Sequence, residues 1–87
     1  MIDLKSIIEN ESVEDILLFL APRLPWHRID YWFLHYKSDV IASGELMRIT
    51  TKMVDEGKLK EDETGHISEG PHWAPPQFVV NKKYGIK

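Results

Sequence analysis

Eighty-seven residues with a formal net charge of −3, 43% hydrophobic and 29% charged, describe one globular domain with no room for a second. With no cysteine, disulfides, thiolate metal sites and cysteine nucleophiles are all excluded. Residues 1–22 carry a net −4 and residues 23–87 a net +1, which is not the footprint of a protein that grips nucleic acid indiscriminately.

The opening Met-Ile-Asp-Leu-Lys has no basic region ahead of an apolar run, and residues 16–21, the longest apolar stretch, are too few to cross a bilayer. A soluble, cytoplasmic protein without membrane association is therefore expected. Residues 2–10 predict a short helix edged by Ile2, Leu4, Ile7 and Ile8. Ser12 predicts an N-cap with Asp15 in its first turn, followed by Val13, Ile16, Leu17 and Leu20 at helical spacing. Pro22 stops that helix by Ala21. Pro25 suits the first position of a second helix with Trp26, Ile29, Phe33 and Tyr36 as its buried stripe, widened by Trp32 and Leu34.

Lys37-Ser38-Asp39 reads as a polar turn, after which Val40 and Ile41 plug the core and Ser43 caps a third helix. In that helix Leu46, Ile49 and Met53, and less deeply Thr50 and Val54, face inward; Ser43, Glu45, Arg48, Lys52 and Asp55 face outward. Gly57 supplies the left-handed residue that ends it. Residues 58–62 alternate as a strand before the Glu63-Thr64-Gly65 turn, which His66, Ile67 and Ser68 extend as a hairpin. Gly70, Pro71, Pro75 and Pro76 break the chain into an irregular loop. Phe78, Val79 and Val80 then predict the second strand of a wing, its tip being the long proline-rich loop.

Residues 12–62, with their Ile16-Leu17-Leu18-Phe19-Leu20 first helix, the second helix from Pro25 to Tyr36 and the segment 43–59, resemble a bacterial winged helix-turn-helix domain. The resemblance implies an α+β fold: three to four helices followed by a two- or three-stranded antiparallel wing. Residues 1–11 would be a helical extension, 12–57 the helical core, and 58–87 the wing hairpin and tail. It also implies DNA binding in transcriptional control, with the third helix in the major groove and Ser43, Glu45, Arg48, Thr51 and Lys52 as its contacts. His66, His72, Trp73, Lys82 and Lys83 would be the wing contacts. The chain departs from the pattern in its aromatic second helix, in Lys58 where an apolar residue is usual, and in the rigid loop 70–76.

Charge and aromatic content support a competing expectation. Segment 43–60 has a positive excess of only one, a weak phosphate-binding set unless a homodimer doubles it. Glu45 precedes Arg48 by three positions and Asp55 follows Lys52 by three, so each cation has a local partner within reach. A small acidic domain of this kind suits protein recognition, as in an immunity or antitoxin protein that neutralises a basic toxin. Glu9, Glu11, Glu14, Asp15 and Trp73 would then carry binding. Trp73 is either presented by its flanking prolines or folded back over the core.

No enzyme is expected, because nucleophile elbow, phosphate-binding glycine loop and zinc-protease motifs are all missing. No cofactor is implied. His27 and His35 stand about 12 Å apart along a helix, too far to share an ion, and His66 and His72 show no ligand spacing.

Overall fold

A computed structural model describes residues 2–86. Among them, six helices and one two-stranded antiparallel sheet follow in the order α1 (Leu4–Asn10), α2 (Val13–Leu20), α3 (Trp26–Tyr36), α4 (Ser38–Ala42), α5 (Glu45–Asp55), β1 (Leu59–Glu61), β2 (Ile67–Glu69) and α6 (Gln77–Val80). The fold is mixed helix and strand, as the sequence leads one to expect.

Local chemistry starts the first two helices. The Asp3 carboxylate accepts from the Ser6 amide at 3.2 Å, and Ser12 Oγ accepts from the Asp15 amide at 3.2 Å. Each bond satisfies one of the orphan donors of a helix N-terminus. Ile7 and Ile8 of α1 are fully buried with Ile16 and Leu17 of α2, Ile29 and Phe33 of α3, Met53 of α5 and Leu59 of β1. This one cluster is the core, with α2 packed on α5 and α1 packed on α3.

Several expectations need correction at the joints. Pro25 is the N-cap of α3 and not its first helical residue. Ser38 and Asp39 are not a turn but the start of α4, and the chain bends at Lys37, whose ammonium donates to the Glu11 carbonyl at 3.0 Å. Ser43 does not cap the next helix: its own backbone is helical, and Gly44, left-handed at φ 78°, occupies the N-cap. Ile49 is only half-buried, whereas Thr50 is buried and satisfies its hydroxyl on the Leu46 carbonyl at 2.7 Å.

The amphipathic character of α5 and its glycine stop are as expected. Gly57, at φ 81°, donates to the Val54 carbonyl and Lys58 to that of Met53, both at 3.0 Å, which closes the helix in a Schellman motif. β1 and β2 then pair with Leu59 opposite Glu69 and Glu61 opposite Ile67, so Leu59 and Ile67 turn inward. The connection 62–66 is tight because Asp62 Oδ1 collects the Thr64 amide, the Thr64 hydroxyl and the His66 amide within 3.0 Å.

The proline-rich loop, expected at the tip of a wing, is therefore not the tip of the β-hairpin; it follows β2. Residues 78–80, expected as a strand, lie instead in the single helical turn of α6, which Pro76 opens. A three-residue apolar run is too short for periodicity to separate strand from helix. Phe78 is buried against Phe19 with ring centroids 5.4 Å apart. Beyond it Tyr84 ties the tail to α1: its carbonyl accepts from the Asp3 amide at 2.9 Å, and its hydroxyl donates to Glu11 at 2.5 Å. That bond raises the Tyr84 pKa, since losing the proton would set a phenolate against a carboxylate.

Candidate recognition surface

The outward side of α5 carries Met47, Arg48, Thr51, Lys52 and Asp55, all exposed, because Leu46, Thr50 and Met53 hold the opposite stripe in the core. Arg48, Thr51 and Lys52 thus share one face, as their spacing predicts. Glu45 is half-buried at the start of the helix, and Ser43 lies in the preceding turn, its hydroxyl 3.4 Å from the Glu45 amide.

Electrostatics on this face differ from the expectation. Lys52 pairs with Glu14 of α2 at 3.5 Å, and not with its neighbour Asp55. Glu14, from the acidic head of the chain, thus sits beside α5, on which α2 packs. Lys58 pairs with Glu56 at 3.5 Å. Arg48 forms no ion pair among the described residues. From Ser43 through β2 the sequence holds four cations against seven carboxylates, four of the seven being Glu61, Asp62, Glu63 and Glu69 in or beside the hairpin. The hydrogen bonds from Thr64 and His66 hold the Asp62 carboxyl below its ordinary range, so it stays anionic.

The expected wing set is dispersed. His66 is exposed at the end of the hairpin. His72 lies against Gly57, where a Cβ would meet its ring carbon Cδ2 at 2.5 Å. Trp73 folds inward and donates its indole N–H to the Leu18 carbonyl at 2.8 Å, so it is a core strut and not a presented contact. Lys82 and Lys83 follow α6, in the tail that Tyr84 fastens to α1, and belong to no wing. Of the acids expected to steer a protein partner, Glu14 and Glu11 are engaged by Lys52 and Tyr84, while Glu9 is exposed and unengaged.

A second surface is more apolar than expected. On α3 only Ile29 and Phe33 are buried; Trp26 and Trp32 are half-buried, and Tyr36, expected in the core, is 37% exposed. The outward positions are His27, Arg28, Tyr31, Leu34 and His35. Their mutual spacing of three and four, opposite Ile29 and Phe33, is the sequence signal that marks them.

Among the described residues no group of three or more His, Asp or Glu side chains is placed to hold a metal ion, and no helix is long and apolar enough to cross a membrane. Comparison with family models, with curated proteins and with solved structures gave no match.

Proposed function

We propose that the chain is a non-enzymatic winged-helix recognition module that binds a basic protein partner through the acidic surface of α5, the hairpin and the first turn of α2. The winged-helix reading is supported by α4, the Ser43-Gly44 turn and α5, two helices joined by a short glycine-containing turn, with a β-hairpin directly after them. One observation carries the choice of partner: Glu14 neutralises Lys52, in a setting where carboxylates outnumber cations by three. Counterion release needs unpaired cations along the phosphates, and an acidic hairpin repels the backbone a wing would track. Neutralisation of a basic toxin by an immunity or antitoxin protein is work such a surface suits, with charge steering the encounter.

DNA binding is the second reading, favoured by the exposed Arg48 and Thr51 on the helix that follows the glycine turn. Amide shifts in the 15N-labelled protein separate the two. An oligolysine peptide is expected to move residues 55–69, and a short duplex at about 50 mM salt to move none. Duplex-induced shifts at Arg48 and Thr51 that shrink with added salt would establish the second reading and overturn the first.

A further inference from the structure

His27, Tyr31, Leu34 and His35, with Arg28 beside them, form the outward face of α3. Tyr31 and Leu34 are 53% and 56% exposed at its centre. The Tyr31 ring is braced edge-on by His35 at 4.4 Å and by Trp32 at 6.3 Å between centroids, so presenting it costs little side-chain entropy. No carboxylate lies on this face; Asp30, the only acid of α3, is half-buried on its flank. Lys5 and Glu9 of α1 and Asp39 of α4 lie on the elements packed beside α3. A basic partner is drawn to the acidic surface and not to this one. Two copies of a −3 chain, conversely, meet with least repulsion where neither brings a carboxylate.

We propose that this face docks a second copy of the chain, α3 against α3, antiparallel about a two-fold axis at Tyr31. Relative to the Tyr31 ridge, Leu34 and His27 project to one side and Arg28 and His35 to the other, by the 100° step of the helix. A two-fold axis that reverses the helix direction keeps each side facing itself. Tyr31 then meets Tyr31, Leu34 of one copy meets His27 of the other, and Arg28 meets His35. Apolar carbon covers an imidazole ring, and the planar guanidinium stacks on or donates to the facing imidazole. No buried charge faces its like. A helix of 11 residues is about 16 Å long, so the contact is at the small end of specific interfaces and the dimer is reversible.

Sedimentation of the protein alone tests this, with no other partner present. Between about 10 µM and about 1 mM the chain is expected to pass from monomer to dimer, with concentration-dependent amide shifts confined to residues 27–36. Tyr31→Glu and Leu34→Asp are each expected to weaken association at least about tenfold, with melting temperature unchanged. Val80→Asp, an equally exposed apolar site on α6, leaves association intact. A monomer across the whole range, or shifts centred on α5 or the hairpin, overturns the proposal. Should Tyr31→Glu disturb folding, dilution of the unmodified protein decides alone, and either result leaves the basic-partner reading untouched.

Discussion

Trp73 crosses from the loop after β2 to α2 and gives its indole N–H to the carbonyl of Leu18, 55 positions earlier in sequence. The bond holds the proline-rich segment against the core and explains why a tryptophan between prolines is half-buried. Trp73→Phe keeps most of the apolar area and removes the donor. It should cost about 1 kcal/mol, a fall of roughly 4–8 °C in melting temperature for a domain this size. A melting temperature unchanged by Trp73→Phe would show that the hydrogen bond contributes nothing net. Asp62 acts at the same scale and responds to acid. Its pKa is lower folded than unfolded, so its contribution is present above the ordinary carboxylate value of 3.8 and is lost as pH falls through the folded value. Asp3, lowered by Ser6, behaves alike. Asp62→Asn should therefore melt lower than the parent at neutral pH and show a flatter decline in melting temperature below that value. Parallel acid curves would remove Asp62 from the account.

Elements meet most closely where β2 leaves the sheet. A Cβ on Gly70 would collide with the carbonyl of Gly57 and lie 2.8 Å from that of Leu59, both backbone atoms that cannot swing aside. Gly70→Ala must shift the hairpin from the end of α5 and should cost about 1–3 kcal/mol, read by denaturant melts. Gly65→Ala is a control that strains only a turn, because nothing lies within 4 Å of it. A Gly70→Ala variant as stable as the parent would refute the close-approach argument. At this scale the long, strongly patterned segments were legible from sequence: α2 with its Ser12 cap, α5 with its inward stripe, and the Gly57 stop. The four residues of α6 and five of α4 were not, since fewer than two turns carry no readable period. The candidate surface was legible only in part. Spacing placed Arg48, Thr51 and Lys52 together, but a partner 38 positions away, Glu14, leaves no local signature.

Charge is a property of the whole molecule, and the proposed choice of a basic protein over DNA rests on it. The backbone order around Gly44 suits a helix presented to a groove, yet the surrounding carboxylates oppose a polyanion. Removing three of them tests which factor controls. Glu14→Gln releases Lys52 from its partner, and Glu61→Gln with Glu63→Gln discharges the hairpin, taking the formal net charge from −3 to zero. All three side chains lie at or near the surface, and exposed ion pairs contribute about 0–1 kcal/mol, so the triple variant should fold and melt within a few degrees of the parent. If charge alone keeps this helix from nucleic acid, the variant should bind a short duplex at about 50 mM salt where the parent does not. Raising the salt to about 200 mM should then abolish that binding, and Arg48→Ala should weaken it. A variant still inert toward DNA would place the obstacle in shape: the helix face itself would then be built for a protein surface, and the acidic residues would tune that encounter.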